Sequence, residues 1–355
     1  DFQRQDCEPE SDSGAVDIYF GLRHLSKGNG SVSGPQQEVD LLFNGKKHFQ
    51  NGVLHQCYWP ESLITPPSPG LLRQEVLNLK NSGFNMVRVH AGVMPQIFYH
   101  YCDEIGLLVW QDFPGGDGRA LPIWDQARGV KEHIYPPLAL DEMRRTQDSE
   151  SAFWRELQAM VKALSSFTSV VCWIPFNEGW GQFDTAKVVR YLRNFGGGRW
   201  IDAASGWNDV SDLHPGEDLG DLADVHNYEA PPFHNLTGTF STWPLGFAGR
   251  ALALGEYGGL GLPFEGHELL PDLSWAYGEV SRSSEELSQA LLGLASRLEA
   301  AICESRVSAI VYTQWNDVET EVNGLVTYDR LPKVSMETLR QFGKLLFAAH
   351  ERCTH

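Results

Sequence analysis

Two glutamates in this chain each follow directly on an apolar run. VVCWIPFNEGW leads into Asn177-Glu178, and ALALGEYGG leads into Glu256. A carboxylate at the end of a core strand loses solvation, so it needs either a partner or a task. Two such groups on opposite sides of one mouth suit glycoside cleavage. One, ionised, attacks the anomeric carbon. The other, with a raised pKa, protonates the leaving oxygen and then activates water. In the retaining form of this chemistry the two carboxyl groups stand about 5–5.5 Å apart. Glu178 and Glu256 are therefore the candidate catalytic pair. The competing reading of Glu178 is a structural carboxylate bonded to backbone amides; that of Glu256 is a loop carboxylate among glycines.

Other polar and aromatic residues recur just past the apolar runs. They are Arg88 and His90, Gln111 and Asp112, Asn177 and Trp180, Ser205 to Asn208, His226 to Tyr228, and Gln314 to Asp317. Aromatic faces stack on sugar C–H surfaces, and planar polar groups bond hydroxyls. The candidate substrate-binding set is Asn177, Arg88, His90, Asp112, Trp180, Trp207, His226, Tyr228 and Trp315. Ordinary core packing is the alternative for the aromatics, and neutralisation of core carboxylates is the alternative for Arg88 and His90. The acidic run Asp317, Glu319 and Glu321 reads as a solvated loop. His214, His226 and His234 fit no standard metal-ligand spacing. A metallohydrolase barrel would show His-x-His on its first strand, where only His55 appears, so neither metal nor cofactor is expected.

The elements that position these residues alternate. Helical spacing marks 71–81, 96–105, 151–167, 185–194, 285–304 and 336–350, with Asp184 as the expected cap of the fourth of these. Apolar runs near 49–54, 85–89, 107–110, 170–174, 200–204, 224–228, 251–255 and 308–313 read as strands buried on both faces, as parallel strands are. This alternation matches a (β/α)8 barrel. The rival, a doubly wound open sheet, would carry a Gly-rich dinucleotide loop after its first strand, and none is present. Upstream, 1–15 reads as a loose leader, 16–25 as a strand and 27–37 as a linker. Asn44-Gly45 between two short apolar runs signals a hairpin. The expected division is residues 1–38, then a barrel over 39–355.

The 355 residues, 42% of them hydrophobic, suffice for one large core. A net charge of −18 argues against nucleic acid or an anionic membrane as partner, since both attract a basic face. No apolar run approaches the roughly 20 residues of a membrane span. None of the six cysteines is paired at C-x-x-C spacing, and Cys102 and Cys172 lie in apolar segments as expected buried thiols.

These motifs together resemble the catalytic barrel of glycoside hydrolase family 2, which includes β-galactosidases, β-glucuronidases and β-mannosidases. Asn177-Glu178 is similar to the acid/base pair after strand four, and Glu256 in GEYGG to the nucleophile segment after strand seven. Arg88 and His90 in NMVRVH resemble the second-strand motif, whose Arg supports the nucleophile. His226 and Tyr228 resemble the sixth-strand motif, whose Tyr bonds the nucleophile. Trp315 resembles the eighth-strand aromatic platform, and FNGKKHFQNGV the entry to the barrel. The resemblance covers about residues 40–350. It implies a retaining, exo-acting β-glycosidase, β-galactosidase-like, acting on terminal β-linked sugars of a carbohydrate substrate. The alternative is a non-catalytic carbohydrate-binding barrel or an inactive fragment. Family members carry a jelly-roll and an immunoglobulin-like sandwich before the barrel; VDIYFGLRHL resembles the last strand of that sandwich.

Overall fold

The computed structural model describes residues 18–29, 39–117, 142–206, 208–210, 213–228 and 249–353. It begins with a small antiparallel sheet of β1 (Leu25–Asn29), β2 (Val39–Phe43) and β3 (Lys46–Lys47). Asn44 and Gly45, between β2 and β3, both have positive φ, at 52° and 76°. That is the backbone the Asn-Gly pair favours in a two-residue hairpin. The upstream strand lies later than the alternation suggests. Residues 18–24 form no ladder, and the Gly-containing stretch from Leu25 pairs with β2 instead.

Eight further strands follow: β4 (Gln50–His55), β5 (Met86–Val89), β6 (Leu108–Asp112), β7 (Val170–Ile174), β8 (Trp200–Ile201), β9 (Leu222–Asn227), β10 (Ala251–Gly258) and β11 (Ala309–Thr313). They pair in parallel in the order β8-β7-β6-β5-β4-β11-β10-β9. At the seam, Asp221 N–H donates to the Ile201 carbonyl at 2.6 Å, and Asp202 bridges Gly220. The result is a (β/α)8 barrel.

Among the described residues the helices are α1 (Pro69–Asn81), α2 (Gln96–Ile105), α3 (Gln147–Leu164), α4 (Thr185–Phe195), α5 (Ser284–Cys303) and α6 (Met336–Cys353). Each turns an apolar stripe to the strands. On α5 this is Leu287, Leu291, Leu294, Leu298 and Ile302, spaced at three and four residues. Ser68 and Ser283 accept from backbone N–H groups in the first turns of α1 and α5, which satisfies donors the helix cannot pair itself. Asp184 sits at the start of α4 without capping it. Its carboxylate faces Lys187 at 3.4 Å, and Glu142 Oε1 takes the Thr185 N–H at 2.7 Å in its place. Cys303 and Cys353 form a disulfide that joins the ends of α5 and α6, a pairing that a separation of 50 residues does not announce. Cys102 and Cys172 are buried thiols as expected. No described helix is long and apolar enough to cross a membrane.

The barrel interior changes character along its axis. Near the strand starts the inward side chains are apolar, including Met86, Trp110, Leu222 and Ala253. Leu41 of β2 joins this cluster, so the small sheet closes that end. Trp200 Nε1 donates to the Ser26 carbonyl at 3.0 Å across the same boundary. Two residues further along, the strands turn Arg88, Asp112 and Asp224 inward, and His226 follows two residues after Asp224. The fold thus stacks a polar layer on an apolar floor, at the end where barrel enzymes keep their sites.

Candidate active site

Glu256 lies inside β10 rather than after it. The pairing of β10 with β9 slips between Leu254 and Glu256, which leaves Gly255 as an extra residue. Bulges of this kind re-aim the side chain that follows. Gly255 is pressed onto β9: its N–H donates to Asp224 Oδ1 at 2.5 Å, and a Cβ there would stand 1.9 Å from Asp224 Oδ2. Both residues are buried, so the Asp224 carboxylate has little room to yield. Gly255→Ala is expected to cost about 1–3 kcal/mol as overpacking and to displace Glu256 as well. Thermal unfolding together with a turnover assay checks this, and wild-type values in both would show that β10 can absorb the methyl group.

Glu178 is positioned by a turn. Its φ is +50°, followed by Gly179 at +75°. Its N–H donates to the Ser205 carbonyl at 2.8 Å, and Trp180 N–H donates to the Asn177 carbonyl at 2.9 Å. A left-handed glutamate costs about 1–2 kcal/mol, strain that persists only where the surroundings impose it. Here the turn carries the carboxylate from the end of β7 over the barrel mouth.

The two carboxylates are joined through one histidine. His226 Nδ1 stands 2.9 Å from Glu178 Oε1 and 3.6 Å from Glu256 Oε2. One oxygen of each glutamate and one His226 nitrogen all lie within 4.8 Å of one another. Burial raises the Glu178 carboxyl, but the His226 hydrogen bond and charge outweigh it and the net direction is down. Burial lowers His226, and the charges of Glu256, Glu178 and Asp224 outweigh that, so its pKa is raised. The raised pKa expected for Glu178 alone is therefore replaced by a coupled Glu178–His226 pair, in which the histidine favours the proton.

Arg88 anchors the floor of the mouth. It is fully buried and grips Asp112 through Nε and Nη2, at 3.0 and 2.9 Å. Its Nη1 reaches the Gly255 carbonyl at 3.1 Å and Glu256 Oε1 at 3.4 Å, while Nη2 donates to Asn177 Oδ1 at 2.7 Å. Burial opposes the charge, but Asp112, Glu256 and Asp224 hold the guanidinium above its ordinary pKa. His90 Nδ1 lies 2.6 Å from Asp112 Oδ2. Burial raises Asp112, and Arg88 and His90 outweigh it to pull its carboxyl down. Tyr228 donates its hydroxyl to Glu256 Oε2 and lies flat on Tyr277, ring centroids 4.0 Å apart. Ser205 Oγ donates to Asp224 Oδ2 at 2.5 Å and meets His226 Nε2 at 2.8 Å, fixing the ring from below. Glu178, His226 and Glu256 are also the described donors that could hold a cation. Arg88, 3.4 Å from both Glu256 Oε1 and His226 Nε2, already supplies positive charge there.

Above this network lies a cleft of about 440 Å³, walled by His90, Asn177, Glu178, Trp180, Tyr228 and Glu256 together with Gln56, Trp275, Tyr277 and Glu321. No family model matches the chain. A β-mannosidase B of Thermothelomyces thermophilus is 33% identical over 108 residues, covering 30% of this chain and 10% of that protein. Two solved structures cover 92% of this chain. One is a β-glucuronidase of Parabacteroides merdae, with TM-score 0.62 and 15% identity, covered over 39% of its length. The other is a family 2 β-galacturonidase of Eisenbergiella tayi, with TM-score 0.59 and 17% identity, covered over 55%. The chain shares its (β/α)8 barrel fold with these solved structures. This chain spans only part of the relatives it matches.

Within this barrel, the structure brings together Arg88, His90, Asp112, Asn177, Glu178, Trp180, His226, Tyr228 and Glu256. Trp207 and His234 lie outside the described residues. Trp315 is 2% exposed and belongs to the apolar core; among the described residues Trp180 and Tyr228 line the cleft, joined by Trp275 and Tyr277 from the loop after β10. The acidic run after β11 is not a solvated loop throughout. Asp317 is buried against Lys333 Nζ at 2.6 Å, and burial pushes its carboxyl up to about 6. Glu321 enters the cleft wall. Gln56, Trp275, Tyr277 and Glu321 carry no periodic or motif signal, because they sit on irregular segments whose path only packing decides.

Proposed function

We propose that this barrel is the catalytic unit of a retaining β-glycosidase that removes terminal β-linked sugars. The observation that carries the reading is the short distance between carboxylates: an oxygen of Glu178 and one of Glu256 lie within 4.8 Å. Inverting catalysis needs about 6.5–9.5 Å to seat a water between the groups, whereas retention needs the short spacing. In this reading Glu256, oriented by Tyr228 and Arg88, attacks the anomeric carbon as the glycosidic C–O bond breaks. The proton held by the Glu178–His226 pair passes through Glu178 to the leaving oxygen. Glu178 then takes a proton from water, which attacks the anomeric carbon and releases Glu256. Asn177, whose Oδ1 is committed to Arg88, keeps its amide N–H groups for a sugar hydroxyl.

The sugar is the finer question. A β-galactoside is the expectation from sequence motifs, the curated relative supports a β-mannoside, and the solved relatives are named for uronides. A panel of aryl β-glycosides covering these sugars, with the first-formed anomer read by proton NMR, tests both parts. The expected result is turnover of at least one member with the β-anomer appearing first. An α-anomer first would overturn retention. No turnover of any member, with sugar binding by calorimetry, would favour a carbohydrate-binding barrel. Sandwich domains preceding the barrel are consistent with the partial coverage of the solved relatives, of which this chain spans 39% and 55%.

A further inference from the structure

The cleft holds a third carboxylate that the two-carboxylate mechanism does not use. Glu321 lies in the loop after β11, at the wall shared with Glu256. Its backbone is pinned by a bridge to Trp275 and another to Val318, and Val322 N–H donates to the Trp275 carbonyl at 2.9 Å. Two amides clamp one of its oxygens: Gln314 Nε2 at 3.1 Å and Gln56 Nε2 at 3.2 Å, both on Oε2. Gln56 Nε2 also donates to Gln314 Oε1 at 2.9 Å, and Gln314 Nε2 to Asn323 Oδ1 at 2.9 Å. The clamp rises from two paired strands, β4 and β11. Among the described residues the other oxygen, Oε1, makes no hydrogen bond. A carboxylate fixed in this way is a preorganised acceptor.

We propose that Glu321 reads the reacting sugar, accepting hydrogen bonds from its hydroxyl donors through Oε1 and excluding sugars that carry a carboxylate. This deepens the glycosidase reading and rests on it. The charge inventory supports it. The described cleft wall presents Glu178, Glu256 and Glu321 and no lysine or arginine. Arg88 lies beneath, already bound to Asp112 and Glu256. Burial, opposed by the Gln314 hydrogen bond, and the charge of Glu256 push the Glu321 carboxyl up to about 7. The site thus already strains to hold its own negative charge, and a uronate would add one more within a few ångströms. Repulsion at such range corresponds to about 10²-fold in affinity.

The test compares kcat/KM on p-nitrophenyl β-galactoside, β-mannoside, β-glucuronide and β-galacturonide for wild type, E321Q and E321D, with thermal melts confirming folded variants. Wild type is expected to favour a neutral sugar over either uronide by about 10²-fold or more. E321Q, which removes the charge and keeps the shape, is expected to narrow that ratio at least tenfold. E321D, which keeps the charge and shortens the reach, is expected to lose neutral-sugar turnover while still rejecting uronides. A wild type that prefers a uronide, or an unchanged ratio in E321Q, overturns the assignment. If wild type cleaves nothing, the glycosidase reading fails, and calorimetry with galactose, mannose and glucuronate then decides specificity alone. Neutral-sugar binding that weakens in E321Q upholds Glu321 as the reader; glucuronate binding, insensitivity to E321Q, or no binding at all overturns it.

Discussion

Glu256→Gln is expected to abolish turnover of an activated aryl β-glycoside, by about 10⁴-fold or more, while leaving the fold intact. The amide keeps the shape of the side chain and can still meet Tyr228 and Arg88, which contact the carboxylate. On the proposed mechanism it cannot form the glycosyl intermediate, and losing a nucleophile costs several powers of ten because its partners have nothing left to activate. Glu178→Gln is expected to behave differently. An aryl leaving group with a low pKa needs little protonation, so its first step survives, while substrates with poor leaving groups fall by about 10²–10⁴-fold. Small anions separate the two roles further. In Glu256→Ala, azide should attack the anomeric carbon from the vacated face and give the α-glycosyl azide. In Glu178→Ala, azide should intercept the intermediate and give the β-glycosyl azide. Product NMR reads the difference. Near-wild-type turnover in Glu256→Gln, or azide products of the opposite anomers, would reject the assignment.

Arg88→Met should damage both stability and activity. The guanidinium is completely buried, with bonds to Asp112, Asn177, the Gly255 carbonyl and Glu256. Removing one partner of a buried pair leaves an uncompensated charge and costs about 3–5 kcal/mol. For a chain of this size that is a fall in Tm of roughly 5 °C. Asp112 is then the stranded charge, so Asp112→Asn combined with Arg88→Met should recover part of the stability, a non-additivity that a double-mutant cycle measures. Activity should not recover with it, because Glu256 and Asn177 have lost their common anchor. Expected losses in kcat/KM are about 10²-fold or more. A melting temperature unchanged by Arg88→Met would mean that the network does not bear on stability, and full recovery of activity in the double variant would remove Arg88 from the site.

Much of the architecture is legible in the sequence, for identifiable reasons. Parallel strands covered on both faces must be apolar throughout, so β7 and β11 announce themselves as VVCWI and AIVYT. The stripe of α5 has helical spacing because only one face meets the barrel. Asn44-Gly45 reported its turn because few other pairs tolerate positive φ twice. Glu178 and His226 are legible because a polar residue at or just past the end of an apolar run stands out against it. Other features are not. Asp184 looked like a cap, yet Glu142 from another segment took that role. Trp315 looked like a sugar platform, yet its ring is in the core while Trp275 and Tyr277 border the cleft.

The sequence by itself determined the pair of strand-end glutamates, their order along the chain and the barrel that carries them. These follow from local periodicity and from the cost of placing charge at the end of an apolar run. Tertiary structure decided how the pair is wired. The bulge at Gly255 aims Glu256, His226 couples it to Glu178, Arg88 binds the floor, and Glu321 arrives from a distant loop to make a third carboxylate. Each of these depends on distances between residues far apart in the chain. Such distances are fixed by the packing of whole strands against one another, and no window of sequence contains them.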